Sequence, residues 1–310
     1  MKIGIIGAGN VGSTTAFSLI MQGIARKVVL IDTNEKRMHA EADDIAHAAP
    51  FSYAGKIKAG NYKDLEGSGI VIITAGANQK PGEPRTALLE RNVAIFSTII
   101  PEVVRYAQNC ILLIASNPVD IMTSVALKLS GFPKDRVFGS GTVLDSARFR
   151  TLLGYYLSVS PKSVHANVLG EHGDSEVLIW SSAVAGGIQV EEFAEAIHKP
   201  LTQEIKADMD SQVRNAAYSI IAGKGATAFG IAGALSRICQ AIASNEHAIL
   251  TVSAFHDELE GSHNICMAYP CIIGKRGIIG KLCPRFSATE HKDLSMSAAK
   301  ISELSTSALQ

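Results

Sequence analysis

Four side chains spread along the chain could together reduce a carbonyl group. Asp145 and Arg148 lie three residues apart, His172 is flanked by glycines, and Arg85 lies sixty residues before Asp145. A histidine that is oriented by a carboxylate can exchange a proton with a carbonyl oxygen, and guanidinium groups can bind a carboxylate or polarise the carbonyl. These residue types indicate reduction of a small substrate that has both a carbonyl and a carboxylate.

Each of these residues also has a simpler structural interpretation. If residues 144–150 are helical, Asp145 and Arg148 share one face and could form an ordinary surface salt bridge, whereas Arg150 must point elsewhere. His172 could equally be a loop or core histidine. The functional interpretation requires a hydride source, which would be a carrier bound by another part of the chain.

The first turn of the chain predicts that source. An apolar run at residues 2–6 leads into Gly-Ala-Gly-Asn-Val-Gly at 7–12 and a helical stretch at 13–22, which is the glycine pattern that binds a dinucleotide pyrophosphate at a helix N-terminus. A second apolar run at 27–31 ends at Asp32, where an acid binds the ribose hydroxyls of NAD and repels the 2′-phosphate of NADP. The alternative is a glycine-rich turn followed by a helix-capping aspartate.

The order of apolar and helical segments predicts an α/β fold. Apolar runs at 70–74, 111–115 and near Val137 alternate with helical segments at 36–48, 86–108 and 119–129, which favours a doubly wound parallel sheet of the Rossmann type. The second half has extended segments at 163–169, 177–182, 249–255 and 265–273, and helices at 201–222 and 225–242. Ser287 and Glu290 form a capping box that opens a last helix. We therefore expect an NAD-binding domain at 1–142 and an α+β substrate and oligomerisation domain at 143–310.

Composition excludes several classes of protein. The 310 residues include 29 basic and 29 acidic side chains and are 19% charged, so nothing suggests a nucleic-acid partner or an acidic membrane surface. The apolar fraction of 47% favours an oligomer that hides part of its surface. The five cysteines form no zinc-type pairs, so we expect packed, reduced thiols, no metal and a cytoplasmic protein. Neither a membrane span nor a signal peptide is expected.

Five motifs, in this order and at these intervals, carry a family resemblance. The stretches GAGNVG, AGANQKPGEPR, SNPVD, LDSAR and GEHGDSE resemble those of the lactate and malate dehydrogenase family, in particular its bacterial L-lactate dehydrogenase branch. The similarity runs from Met1 to the C-terminal helix. It implies an N-terminal Rossmann domain, a C-terminal substrate domain, a homotetramer, NAD as cofactor and interconversion of pyruvate and L-lactate.

The resemblance also implies roles for individual residues. His172 resembles the catalytic acid and base, Asp145 its carboxylate partner, Arg148 the clamp on the substrate carboxylate, and Arg85 the group that a closing loop brings in to polarise the carbonyl. Substrate contacts extend to Gln79, Asn117 and Thr227. The cofactor-binding positions that it implies are Gly7, Gly9, Val11, Gly12, Asp32, Arg37, Tyr62, Gly76, Ala77, Thr98, Ala115, Ser116, Asn117 and Ser140.

Two positions bear on the choice of substrate. Where the malate branch has an arginine that pairs with the second carboxylate of oxaloacetate, this chain has the neutral Gln79. Enclosing an unpaired carboxylate costs several kcal/mol, which predicts a preference for pyruvate of about a thousandfold. Ala228 replaces an aromatic residue of many bacterial relatives and leaves room for longer 2-oxo acids. A malate or broader L-2-hydroxy acid dehydrogenase, and a non-catalytic NAD-binding protein, therefore remain alternatives.

A further pair of residues points to regulation. In allosteric members of the family, an arginine two positions after the carboxylate clamp and a histidine seven positions before the catalytic one bind fructose 1,6-bisphosphate across a subunit interface. Arg150 and His165 occupy those positions here. Asn167, often aromatic in relatives, lies on the same strand face as His165. The alternative is an ordinary interface arginine and a strand histidine.

Overall fold

The N-terminal half forms alternating strands and helices. The computed structural model of the chain describes residues 1–53, 55–77 and 85–309, without the side chains of residues 85, 86, 307 and 309. The strands here are β1 (Lys2–Ile6), β2 (Lys27–Ile31), β3 (Lys56–Ala59), β4 (Ile70–Ile73), β5 (Ile111–Ile114) and β6 (Val137–Gly139). The helices are α1 (Asn10–Met21), α2 (Glu35–Ala48), α3 (Arg85–Tyr106) and α4 (Val119–Ser130).

These strands are parallel and lie in the order β3-β2-β1-β4-β5-β6. The order reverses between β1 and β4, which is the Rossmann arrangement and confirms the predicted fold class. Every residue of β4 and β5 is buried, as expected for strands covered by helices on both faces. The carboxyl ends of β1 and β4 therefore form the crevice in which such sheets bind ligands.

The C-terminal half adds helices and antiparallel strands. Its helices are α5 (Val143–Leu157), α6 (Val190–Ala196), α7 (Gln203–Lys224), α8 (Phe229–Ala243) and α9 (Ala288–Leu309). Its strands are β7 (Val164–Leu169), β8 (Val177–Ala185), β9 (Ile188–Gln189), β10 (Ala248–Leu259), β11 (Ser262–Gly274) and β12 (Gly277–Lys281). Strands β7, β8 and β9 form a small antiparallel sheet.

The other three C-terminal strands extend the N-terminal sheet. Strand β10 pairs antiparallel with β6 through Ser253 and Gly139, so the sheet has nine strands within the described residues. The sequence did not indicate this continuation, because a pairing between residues more than a hundred positions apart leaves no local pattern. The predicted domain boundary at residue 142 stays a prediction, because the sheet continues across it from β6 to β10.

Several elements differ in extent from the sequence prediction. Helix α1 begins at Asn10, directly after the second glycine, and α8 begins at Phe229, four residues later than expected. Gly225 ends α7 with a positive φ of 81°, so residues 225–228 form a connection rather than helix. The short edge strand β3 was not predicted, because its residues are only partly buried. No helix of the described residues has the length and apolar character needed to cross a membrane.

The predicted capping box at the start of α9 is present. The Ser287 backbone N–H donates to Glu290 Oε2 at 2.8 Å, and the Glu290 N–H donates to Ser287 Oγ at 3.3 Å. The other oxygen of Glu290 accepts the backbone N–H groups of Trp180 and Ser181 in β8. The cap therefore also joins α9 to the small sheet.

Candidate active site

The glycine turn between β1 and α1 has the geometry of a pyrophosphate cradle. Gly7 has a positive φ of 110°, and a Cβ at Gly12 would lie 1.8 Å from the Gly7 carbonyl oxygen, so both positions require glycine. A Cβ at Gly9 would meet no described atom within 4 Å. No described side chain caps the N-terminus of α1, which leaves its first backbone N–H groups available to an anion.

Asp32 lies beside this turn, at the end of β2. Its Oδ2 accepts the Ala8 N–H at 2.6 Å, and its Oδ1 accepts the Asn34 N–H at 2.8 Å. Arg37 reaches back to the same region, where its guanidinium donates to Asn10 Oδ1 at 2.9 Å. The predicted acid is therefore placed at the glycine turn and fits a dinucleotide whose ribose is bound there.

Most of the other predicted cofactor positions follow the carboxyl ends of the parallel strands, at the same edge of the sheet. Gly76 and Ala77 follow β4; Ala115, Ser116 and Asn117 follow β5; Ser140 follows β6; and Val11 lies in the first turn of α1. Tyr62 lies after β3, and Thr98 lies in the middle of α3, where its hydroxyl donates to Ile95. Within the described part of the chain, no hydrogen bond joins either residue to the glycine turn.

Asn92, which sequence reasoning missed, ties two of these loops together. Its Oδ1 accepts the Ala77 N–H at 2.7 Å, and its Nδ2 donates to the Asn117 carbonyl at 2.8 Å. The side chain is 1% exposed. The available signal in the sequence was an asparagine at a buried position of an amphipathic helix. A buried amide normally forms hydrogen bonds, so it indicates a structural contact.

Asp145 binds the other two described members of the quartet. Its Oδ2 lies 2.7 Å from His172 Nδ1, and its Oδ1 accepts from Arg148 at 2.7 Å. Both partners are reachable because Asp145 and Arg148 share a face of α5, as the spacing predicts. Asp145 is 1% exposed, so the pairing is shielded from water. Because Nδ1 is engaged, Nε2 is the ring nitrogen available to a substrate.

The electrostatics of the pair favour a charged histidine. Burial alone lowers the pKa of His172, but the charge and hydrogen bond of Asp145 outweigh it and raise the pKa to about 9. Burial raises the pKa of Asp145, but His172 and Arg148 lower it by more, so the net change is a decrease. At neutral pH the pair is therefore imidazolium and carboxylate, which can donate a proton from the ring.

The backbone of His172 is fixed from two sides. Its N–H donates to Asp120 Oδ2 at 2.8 Å, and the other oxygen of Asp120 accepts from Ser253 on β10. Burial raises the pKa of Asp120 to about 6. On the other side, the Glu171 N–H donates to Ser297 Oγ on α9 at 2.8 Å. The sequence analysis assigned no role to Asp120. An acidic residue in the mostly buried helix α4 was the signal that could have indicated one.

A cavity of about 330 Å³ brings together three of the predicted substrate positions, Asn117, Asp145 and Arg148, with His172. The other polar residues that line it are Glu171, Asp174, Glu176, Arg214 and Tyr218. Thr227 lines an adjoining cavity of about 550 Å³, together with Ala228, and Arg148 borders both cavities. The backbone of Arg85 begins α3, but its side chain is outside the described residues, as is Gln79.

The two predicted effector residues are neighbours on the far side of α5. Arg150 donates to the Ala166 carbonyl at 2.7 Å and to Asn167 Oδ1 at 2.9 Å, and His165 is exposed one residue before Ala166 on β7. Burial, and then Arg237, lower the pKa of Arg150. Arg150 therefore points away from Arg148, as the helical spacing predicts.

Comparison with known proteins agrees with this arrangement. The family model for the lactate/malate dehydrogenase NAD binding domain matches residues 1–139, and the model for the alpha/beta C-terminal domain matches residues 142–308. The chain is 50% identical to an L-lactate dehydrogenase of Thermus aquaticus, over 96% of each chain, and 50% identical to one of Allorhizobium ampelinum, over 99% of each.

Solved structures give the same result. A lactate dehydrogenase from a Medee basin deep-sea metagenome library is 37% identical, with a TM-score of 0.96, over 100% of this chain and 99% of that one. A minor L-lactate dehydrogenase of Enterococcus mundtii is 37% identical, with a TM-score of 0.95, over 98% of this chain and 97% of that one. The chain therefore belongs to the lactate/malate dehydrogenase family, and its N-terminal domain is the family's NAD-binding domain.

Proposed function

We propose that this chain is an NAD-dependent L-lactate dehydrogenase that interconverts pyruvate and L-lactate. The observation that carries the proposal is the buried Asp145, which binds His172 through one oxygen and Arg148 through the other. A proton donor and a carboxylate clamp are thereby held at a fixed separation on one wall of the cavity. This arrangement suits a 2-oxo acid, in which the carbonyl and the carboxylate are adjacent.

In the reduction of pyruvate, Arg148 binds the substrate carboxylate through its guanidinium. His172 gives its proton from Nε2 to the carbonyl oxygen, and the resulting neutral ring accepts the proton back in lactate oxidation. NADH, when bound, supplies the hydride that reaches the carbonyl carbon, so that pyruvate, NADH and one proton give lactate and NAD⁺. Asp145 stays ionised and orients the ring throughout.

Two proposed roles rest on residues beyond the described side chains. Arg85 would polarise the carbonyl, because it begins α3, and Leu88 and Leu89 of the same helix line the substrate cavity. Gln79, six residues earlier in the sequence, offers no positive charge to a second carboxylate. We therefore propose pyruvate rather than oxaloacetate as the substrate, with kcat/KM about a thousandfold higher for pyruvate.

A second candidate specificity is favoured by the cavity beside Thr227. Ala228, Leu144 and Ile220 line it, and it meets the substrate cavity at Arg148. An apolar space beside the carboxylate clamp would accept the side chain of a longer 2-oxo acid. This candidate changes the breadth of the activity and leaves the chemistry the same.

We also propose a regulated homotetramer. Phe51, Tyr155 and Phe229 are more than 70% exposed in the single chain, as expected for residues that a neighbouring subunit covers. Arg150, which is bonded to Ala166 and Asn167 of β7, and the exposed His165 of the same strand would bind fructose 1,6-bisphosphate from two subunits. An anion that bridges subunits would stabilise the assembly in its substrate-competent state.

The experiment that tests the function follows NADH consumption with pyruvate, oxaloacetate and a branched 2-oxo acid in parallel. We expect kcat/KM for pyruvate to exceed that for oxaloacetate by about a thousandfold. Comparable efficiency with oxaloacetate would refute the role of Gln79, and efficient reduction of the branched acid would establish the broader specificity. Absence of turnover with all three would favour a non-catalytic NAD-binding protein.

A further inference from the structure

Glu176 is a buried carboxyl group for which the proposed reaction has no use. It lies between the loop that carries His172 and strand β8, it is 3% exposed, and it lines the same cavity as Arg148 and His172. One side-chain oxygen or nitrogen from each of Asp145, His172 and Glu176 lies within 4.8 Å of the others. A third titratable group is therefore in direct electrostatic range of the proton donor.

One oxygen of this carboxyl group has no hydrogen-bond donor within the described part of the chain. Glu176 Oε1 is buried and accepts no hydrogen bond from any residue whose side chain the structure describes. A buried carboxylate without donors is unfavourable, so the site favours the neutral acid. Burial, and after it the charge of Asp145, raise the pKa of Glu176 to about 8, although His172, Arg214 and Arg148 act in the opposite direction.

We propose that Glu176 is a positioning residue that sets the proton affinity of His172, by holding a proton at neutral pH and losing it at alkaline pH. The proposal rests on the proposed function, since His172 is the proton donor of that reaction. While Glu176 is neutral, the bonded group of Asp145, His172 and Arg148 has a net positive charge, which attracts an anionic substrate. Once Glu176 ionises, its negative charge keeps the proton on His172 to higher pH.

The groups that surround the pair come from four parts of the fold. Asp145 and Arg148 lie on α5, Arg214 on α7 and Asp120 on α4, while Glu171 and Asp174 lie in the loop itself. Asp145 is already committed to His172 and Arg148, and Asp120 to the His172 backbone and Ser253. Arg214 is held by Asp210 on its own helix. Glu176 is thus the group whose change of charge reaches His172 in the alkaline range.

The test compares wild type with Glu176→Gln, which has nearly the same shape and cannot ionise. The first measurement is the pH dependence of kcat/KM for pyruvate at saturating NADH, which reports groups of the enzyme that has bound NADH. In wild type we expect the rate to fall as pH rises through about 9, where His172 loses its proton. In Glu176→Gln we expect that midpoint to be lower by about one pH unit, whatever the plateau rate.

The second measurement reads His172 without any substrate. Diethyl pyrocarbonate reacts with neutral imidazole, and the N-carbethoxyhistidine formed in excess of a His172→Asn background belongs to His172. Its rate against pH should show the same lower midpoint in Glu176→Gln, with Glu176→Gln/His172→Asn as the background for that variant. Glu192→Gln, at an exposed position of α6, is the matched control and should leave both midpoints unchanged.

The two measurements distinguish this inference from the function on which it rests. The role of Glu176 is supported if the midpoint is lower in both measurements for Glu176→Gln and unchanged for Glu192→Gln. Coincident midpoints in the modification experiment would overturn it, even if pyruvate is reduced. If pyruvate is not reduced at all, the proposed function fails, and the modification experiment still decides whether Glu176 tunes His172.

Discussion

A single buried carboxylate, Asp145, organises the proposed active site. It orients the ring of His172, favours the imidazolium form and binds Arg148, and its burial makes each interaction stronger than it would be in water. The contact with Arg148 was predictable, because residues three apart on a helix share a face. The roles of Glu176 and Asp120 were not, because their burial depends on helices that are distant in the sequence.

The proposed role of Arg148 as the carboxylate clamp can be tested by a single substitution. In Arg148→Lys a point charge replaces a planar fork, so bidentate binding of the substrate carboxylate is lost. We expect KM for pyruvate to rise, and kcat/KM to fall by a factor of about a hundred or more. Steady-state kinetics with pyruvate as the varied substrate measure both. Arg276→Lys, in the exposed turn between β11 and β12, is the control and should behave like wild type; an unaltered KM in Arg148→Lys would exclude the proposed clamp.

At the scale of elements, the β1–α1 unit separates packing from ligand binding. Gly12 is required by the protein itself, since a Cβ there would overlap the Gly7 carbonyl, whereas the space beside Gly9 is open to a ligand. The sequence predicted this turn because its glycine spacing reflects local geometry. It predicted the start of α8 less well, because the apolar pattern continues through 225–228 although Gly225 ends the preceding helix.

The two glycines therefore predict opposite phenotypes for the same substitution. Gly9→Ala should leave the free energy of unfolding nearly unchanged but weaken NADH binding by about tenfold or more, because its Cβ occupies the approach of the pyrophosphate. Gly12→Ala should lower the free energy of unfolding by about 2 kcal/mol or more, through overpacking. Urea unfolding and NADH fluorescence titration measure the two effects. Equal loss of stability in both variants would remove Gly9 from the cofactor site.

At the scale of the whole molecule, one sheet joins the cofactor domain to the substrate side. Strand β10 pairs with β6 at Gly139 and also supplies Ser253, which bonds the aspartate that holds the His172 backbone. The cofactor crevice and His172, the proposed proton donor, are therefore positioned by a continuous framework of strands. The sequence indicated the two halves by their different patterns, but the long-range pairing that joins them depends on tertiary contacts.

The proposed regulation by fructose 1,6-bisphosphate would act on the proposed tetramer. We expect fructose 1,6-bisphosphate to lower the apparent KM for pyruvate at neutral pH and to shift the sedimentation coefficient towards a species of four 32.8-kDa chains. His165→Asn should abolish both effects, since it removes an imidazole at an exposed position that could contact a phosphate of the effector. His198→Asn changes another exposed histidine, whose positive φ of 57° asparagine tolerates, and should respond like wild type. An unchanged KM and mass in wild type would remove the effector site.

The most direct test of the central claim is kcat/KM for pyruvate in Asp145→Asn beside wild type, with NADH affinity measured in both. The substitution preserves shape but removes the charge that holds His172 protonated and Arg148 in place. We expect NADH-dependent reduction of pyruvate by wild type, a loss of about a hundredfold or more of kcat/KM in the variant, and similar NADH dissociation constants. A variant that reduces pyruvate at the wild-type rate would contradict the central claim.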